Sequence, residues 1–229
     1  LLEMVLSNAD LRKPLGRLRA MMLNAYGAQS VDVFKVNQSV DPRMGIFKGR
    51  DYIVRKISSS GDNYALYGGR RIGKSSILRV VEDVLRNKEW IVVSDSLEGR
   101  KWTDDAIARA LSFKLPFETD VSNVAELRTA LQKYLDAHSK AHIVFLLDEI
   151  DPSIRSNSDR HIFIETLRAL TEHYGNRFRV IVAGFMDLYQ CLQGEGPYSP
   201  SSDPWRRMFN GTRLDNLSAI SAENIVTEG

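Results

Sequence analysis

The segment Gly68-Gly69-Arg70-Arg71-Ile72-Gly73-Lys74-Ser75 constrains this 229-residue chain more than any other. It satisfies the pattern G-x-x-x-x-G-K-[ST] at every fixed position, and that pattern has a defined geometry only between a strand and a helix. Both neighbours are present. Asn63-Tyr64-Ala65-Leu66-Tyr67 reads as a short buried strand. Residues 76–85 carry Ile77, Leu78, Val81, Val84 and Leu85 at the spacing of an amphipathic helix. In such a turn the backbone N–H groups wrap phosphate oxygens, and the helix N-terminus adds its partial positive charge. The expected phosphate-binding set is Gly68, Gly69, Arg70, Arg71, Ile72, Gly73, Lys74, Ser75 and Ser76. Within it, Lys74 reaches the β- and γ-phosphates and Ser75 holds Mg²⁺ through its hydroxyl. Arg70 and Arg71 have two readings, a phosphate contact or an outward-pointing, acid-paired side chain.

The bulk properties narrow the class. The formal net charge is +2, too mild to argue for nucleic acid by itself. The single cysteine, Cys191, excludes an internal disulfide framework and a cysteine-cluster metal site, so a reducing, cytoplasmic setting is expected. Cys191 itself reads as a small buried apolar residue. The four histidines are scattered without ligand spacing. No apolar run approaches the length of a membrane span. Leu-Leu-Glu-Met-Val-Leu at the start has neither the basic region nor the cleavage site of a signal peptide. It has no initiator Met, which reads as a chain that begins inside a longer protein.

Two regions follow from the patterning. Residues 1–44 read as an N-terminal helical segment and linker. Leu11, Leu15, Leu18 and Met22 form one helical stripe, with Asp10 as N-cap and Pro14 in the first turn, and Gly27, Asp41-Pro42 and Gly45 break the chain after it. Residues 45–229 alternate strand and helix. Strands are expected at 62–67, 90–95, 143–148 and 178–183, each nearly continuous in apolar character, as in a parallel sheet buried on both faces. Thr103 before Asp104-Asp105 starts one helix, and Asn123 with Glu126 forms a capping box before another. Phe163, Leu167, Leu170 and Tyr174 mark a further stripe closed by Gly175-Asn176. Residues 193–212 read as a long loop, followed by a short strand near 212–215.

Ile143-Val144-Phe145-Leu146-Leu147 runs directly into Asp148-Glu149. A carboxylate at the C-terminal end of a strand faces the phosphate loop across the crest of a parallel sheet. Asp148 is the expected Mg²⁺ ligand, directly or through water, and Glu149 the group that orients and deprotonates an attacking water. A solvated acidic turn is the plain alternative, but two carboxylates directly after a buried strand need a reason to sit at the sheet edge. A complete strand, 90–95, separates Ser75 from Asp148. With Glu149 beside Asp148, this resembles the additional-strand, catalytic-glutamate branch of P-loop ATPases and not kinases or small GTPases. No guanine-reading Asn/Thr-Lys-x-Asp motif is present.

Phe47-Lys48-Gly49-Arg50-Asp51 stands shortly before the phosphate loop. A Phe-x-Gly-Arg-Asp/Glu box in this place resembles AAA-like ATPases and, more closely, the STAND signalling ATPases, where the segment packs near the adenine. A plain loop with a buried Phe is the equal alternative. Arg-Arg-Ile-Gly-Lys-Ser-Ser, residues 70–76, is similar to the loops of bacterial and archaeal STAND and archaeal-type ATPases. The resemblance covers residues 45–220. It implies a three-layer α/β core with parallel strand order 5-1-4-3-2, ATP and Mg²⁺ as cofactors, Phe47 and Arg50 near the base, a homo-oligomer, and attached effector or sensor domains outside this chain.

The chain departs from that family in one place. Val182-Ala183-Gly184-Phe185 stands where AAA enzymes carry an Asn, Thr or Ser that contacts the γ-phosphate. The family's lid subdomain is expected to be absent or to lie beyond the chain end. Trp205-Arg206-Arg207-Met208-Phe209 follows the long loop; Arg206 is either an arginine finger for a neighbouring subunit or one of a surface Arg pair beside a buried Trp. Arg12, Lys13, Arg17 and Arg19 support nucleic-acid contact only weakly. The leading expectation is thus an ATP-hydrolysing switch with Lys74, Glu149 and Arg206 as its catalytic residues. A DNA-transaction ATPase (initiator, loader or transposition regulator) and a non-hydrolysing ATP-dependent scaffold are the rivals.

Overall fold

The computed structural model describes residues 49–99, 103–117, 121–156, 162–194 and 204–217. The helix expected over 1–26 and Phe47 lie outside them. In the described residues α1 (Asp51–Ser59) leads to β1 (Tyr64–Gly68), α2 (Lys74–Arg86) and β2 (Ile91–Ser96). Then come α3 (Asp104–Ser112), α4 (Val124–Ala137), β3 (Ile143–Asp148), α5 (Asp151–Ser156) and α6 (Ile162–Tyr174). β4 (Phe178–Gly184), α7 (Met186–Gln193), α8 (Pro204–Met208) and β5 (Asn210–Leu214) complete the order. All strand pairs are parallel, in the order β2-β3-β4-β1-β5. That is the expected 5-1-4-3-2 series read from the other edge.

Strand periodicity divides the core into two layers. Phe145 and Leu147 of β3 face one side with Val93, Val180 and Val182, and meet buried residues of α3, α4, α6, α7 and α8. Val144 and Leu146 face the other side with Leu66, Ile181 and Ala183, and meet α1 and α2 through Ile57, Ile77, Val81 and Leu85. Residues two apart share a face of a strand, so near-continuous apolar strands such as β3 and β4 are what a sheet covered on both sides requires. Parallel strands also bring all their C-terminal ends to one edge, and the site is built there.

Helix ends follow their local chemistry. The Thr103 hydroxyl accepts the Ala106 N–H at 3.2 Å, and the Asn123 side chain accepts the Glu126 N–H at 3.0 Å. The Glu126 carboxylate takes the Ser122 N–H at 2.6 Å, one residue upstream of the expected capping-box partner. Gly175 leaves α6 at φ 56°.

The expected loop over 193–212 is corrected by α8 and by β5 starting at Asn210. Pro204 is pre-set for the first helical position, and the three-residue spacing of buried Trp205 and Met208 gives the short helix an inner face. α1 and α5 were also unforeseen, because each is short and α5 directly adjoins the carboxylate turn.

Arg179 of β4 was not singled out in the sequence, yet its side chain is fully buried. Its guanidinium donates to the Ile57 carbonyl at 2.8 Å and to the Asp62 carbonyl at 2.8 and 3.0 Å, and lies 5.4 Å from the Trp90 ring centroid. It therefore ties the C-terminus of α1 to the base of the sheet. Burial lowers its pKa, and the nearby Tyr64 and Asp62 oppose that shift. Arg179→Ala removes the donor to the buried Ile57 carbonyl and to the partly buried Asp62 carbonyl. It is expected to cost about 3 kcal/mol of unfolding free energy in urea titration, and Arg179→Lys should recover little because it lacks the planar fork. A loss under about 1 kcal/mol, the worth of an ordinary hydrogen bond, would show that the tie is dispensable.

Candidate nucleotide site

The C-terminal end of β1 turns into the loop that precedes α2. Gly68 ends the strand at φ 152°, and a Cβ there would lie 2.5 Å from the Leu214 carbonyl oxygen of β5. A side chain at this position would push β5 off β1. Gly73 turns the chain into α2 at φ 98°, and Arg71 is also left-handed at φ 58°. The loop thus arrives with its amides ahead of a helix N-terminus, an arrangement suited to an anion.

Lys74 is buried beneath this loop. Its Nζ donates to the carbonyls of Gly68 at 3.1 Å and Gly69 at 2.8 Å. Burial lowers its pKa, while Glu149, Asp148 and Asp151 oppose the shift. Ser75 is half-buried, and its hydroxyl donates to the Asp148 carboxylate. Ser76 is buried in the first turn of α2, and Ile72 is half-buried against the apolar layer below. Arg70 and Arg71 are exposed, and the charge of Arg70 reaches Lys74.

β3 delivers the carboxylates to the same crest. Asp148 and Glu149 are half-buried, and the Glu149 N–H donates to Asp148 Oδ1 at 2.9 Å. Burial is the first cause that raises both pKa values. Asp148 adds to the rise at Glu149, Glu98 adds to both, and Lys74 opposes both. Glu149 takes φ 52°, a left-handed conformation unusual for a residue with a Cβ.

Ser75 and Asp148 supply two hard oxygen donors that already touch. Among the described residues no group of three or more His, Cys, Asp or Glu side chains is arranged for a metal ion. Mg²⁺ commonly takes one or two protein oxygens together with water and substrate phosphates, so the donors present fit that ion and not an all-protein cage.

The remaining sequence candidates are placed apart. Arg50 precedes α1, and its guanidinium donates to the Asp215 carbonyl just after β5, while its Nε is buried without a partner. Burial lowers its pKa and Asp215 opposes the shift. Arg50 thus braces the crest beside Gly68 and does not touch Lys74. Arg206 is exposed on α8. Asn210, the first residue of β5, pairs with Tyr64, the first of β1, so α8 joins the sheet at the edge opposite the phosphate loop. Arg206 is separated from the Lys74–Asp148–Glu149 group of its own chain.

Two features escaped sequence reasoning. A cavity of about 570 Å³ opens beside Ser75 and Asp148, lined also by Ser94, Ser96, Leu146 and Lys114. At its rim Lys114 pairs with Asp95 at 2.8 Å. The second feature is Asp151, 4% exposed, whose carboxylate accepts backbone N–H groups from the start of α7. Its signal was present as the third acid of Asp148-Glu149-Ile150-Asp151.

No protein-family model and no curated protein matches the sequence. Solved structures do match the fold. The Aeropyrum pernix ORC1 protein, solved in complex with DNA, is 17% identical with a TM-score of 0.54 over 80% of this chain and 49% of that one. The Aeropyrum pernix ORC2 protein, solved as ADPNP–ADP complexes, is 18% identical with a TM-score of 0.55 over 80% and 50%. A Walker-type ATPase of Pyrococcus abyssi is 17% identical with a TM-score of 0.53 over 77% and 56%. The chain shares the α/β fold of these proteins, a five-stranded parallel sheet covered by helices on both faces. This chain spans about half the length of those relatives.

Lys74→Ala should therefore weaken binding of a fluorescent ATP analogue by about 1.5–3 kcal/mol, on the order of 10- to 100-fold in Kd. Unchanged affinity in a titration would remove the loop from phosphate binding.

Proposed function

We propose that this chain binds ATP and hydrolyses it to ADP and phosphate. The observation that carries the reading is the Ser75–Asp148 hydrogen bond at the crest where buried Lys74 and Glu149 also meet. The loop amides and Lys74 hold the phosphates and offset charge that develops on them. Mg²⁺, held by Ser75 and Asp148 when bound, supplies further neutralisation of the β- and γ-phosphates. Glu149 accepts the proton of the attacking water. Burial, with Asp148 adding to it, raises its pKa and with it the basicity of the carboxylate, and Lys74 opposes the rise.

A DNA-transaction setting is favoured over a signalling switch by the likeness to the ORC1 protein solved in complex with DNA. The signalling reading retains one supporting feature, the absence of a polar side chain at Ala183-Gly184. Rates measured with Mg²⁺, with and without duplex DNA, separate them. A several-fold rise with DNA is expected. A rate indifferent to DNA, with ATP-dependent assembly, moves the chain to the switch reading. Glu149→Gln should cut turnover by about 100-fold or more while ATP still binds, and normal hydrolysis in that variant would remove Glu149 as the base.

In this reading Arg206 acts on a neighbouring subunit's nucleotide, because it stands at the sheet edge away from its own. Arg206→Ala and Glu149→Gln are each expected to be inactive, and mixing them should restore hydrolysis at interfaces that combine an intact Glu149 with an intact Arg206. No recovery on mixing, in a sample shown to assemble, would leave Arg206 a surface residue.

A further inference from the structure

Asp151 sits two residues beyond Glu149 and opens α5. Its Oδ2 accepts the Phe185 N–H at 2.6 Å, and its Oδ1 accepts those of Asp187 at 2.8 Å and Leu188 at 3.4 Å. Phe185 is the N-cap residue of α7 and makes no capping bond with its own side chain. Asp151 therefore caps α7 from another part of the chain, and both of its oxygens are used.

One further backbone bond joins the two segments, a second holds the end of β3 to the residue after β2, and a glycine makes room for the carboxylate. The Ile150 N–H donates to the Ala183 carbonyl at 3.0 Å. The Leu97 N–H donates to the Asp148 carbonyl at 3.0 Å. Gly184 leaves room for the carboxylate, since a Cβ there would lie 2.6 Å from Asp151 Oδ2 and 2.9 Å from Leu188 Cβ. Glu149, with its left-handed φ, is enclosed by these anchors. A strained residue of this kind persists only when its surroundings over-determine it.

We infer that Asp151 is a positioning residue for hydrolysis: it clamps the Glu149 turn to the end of β4 and so makes the aim of Glu149 depend on the Gly184–Phe185 backbone. The link between strand end and turn is made by a carboxylate reaching to the main-chain amides of Phe185, Asp187 and Leu188. This rests on the hydrolytic reading of Glu149.

Asp151→Asn is isosteric but replaces one acceptor oxygen with an NH₂ that faces N–H donors. Gly184→Ala displaces the same carboxylate without altering it. Each variant of the full chain is expected to lose turnover on the order of 10- to 100-fold, with the affinity for a fluorescent ATP analogue plus Mg²⁺ changed no more than about threefold. The double variant should be no slower than the slower single, because both remove one clamp. Hydrogen exchange should quicken in residues 148–150 and 183–188 of both variants and stay unchanged elsewhere. Wild-type turnover in either variant, a loss shared equally by affinity, or multiplicative losses would overturn the proposal.

Hydrogen exchange on the unmutated protein covers the case in which a variant does not fold. The Ile150 and Phe185 amides should open with one free energy across low urea, and different opening energies would show that no clamp joins them. If the unmutated chain binds ATP without hydrolysing it, the hydrolytic reading fails and the role in hydrolysis falls with it; exchange then decides only whether the two segments are joined.

Discussion

β4 lies between the two strands that carry the candidate site, and the geometry of that site depends on how β4 ends. β1 brings the phosphate loop and β3 brings Asp148 and Glu149, each hydrogen-bonded to β4 in parallel register. Neighbouring strands sit about 4.8 Å apart, so the two halves of the site are separated by roughly 10 Å with the end of β4 between them. A large side chain at that end would stand in the gap. Ala183 and Gly184 keep it low, and the space is filled from the side by the Asp151 carboxylate. The same backbone positions thus set the width of the candidate site and hold the Asp148–Asp151 segment beside it.

The electrostatics follow from that crowding. Asp148, Glu149 and Asp151 converge on one buried ammonium, Lys74, and Glu98 adds its charge to the two carboxylates Asp148 and Glu149. Burial disfavours the charged forms of Asp148, Glu149 and Lys74, so those two carboxylates are raised and the lysine lowered, and each sign partly relieves the other. Lys74 completes its coordination with the Gly68 and Gly69 carbonyls, which also holds the loop closed over it. A triphosphate that recruited the ammonium would release those carbonyls and bring new negative charge toward the carboxylates. The donor pair Ser75–Asp148 is placed where a divalent cation would offset it.

What could be read in the sequence was whatever short-range physics dictates. The phosphate loop has fixed spacing because backbone turns have fixed dimensions, and Gly68 and Gly73 both take positive φ in the structure. β3 and Asp148-Glu149 were legible because a buried strand ending in acids is unusual. The strand order followed from resemblance and matches the sheet. Contacts between distant segments were not legible. Arg179 is 117 residues from Asp62, whose carbonyl it holds, and nothing local to β4 marks a buried guanidinium. Asp151 was visible as an acid, but its partners at Phe185 and Asp187 lie over thirty residues away. α8 was hidden by the Gly, Pro and Ser of its surroundings, although Trp205 is fully buried.

The asymmetry of the sheet also bears on assembly. Every carboxylate and amide of the site belongs to one edge, while α8 carries Arg206 to the other. A cation at the far edge cannot complete its own chain's site without crossing the length of the strands, about 17 Å for five residues. In a head-to-tail arrangement, if one forms, the same residue would meet the crest of the next copy, where Asp148, Glu149 and Asp151 surround one lysine. Such contacts are heterologous, so they generate a ring or a helix and not a closed pair. Nucleotide at the crest would then alter the contact directly, because the charge it brings is the charge the neighbouring arginine would face.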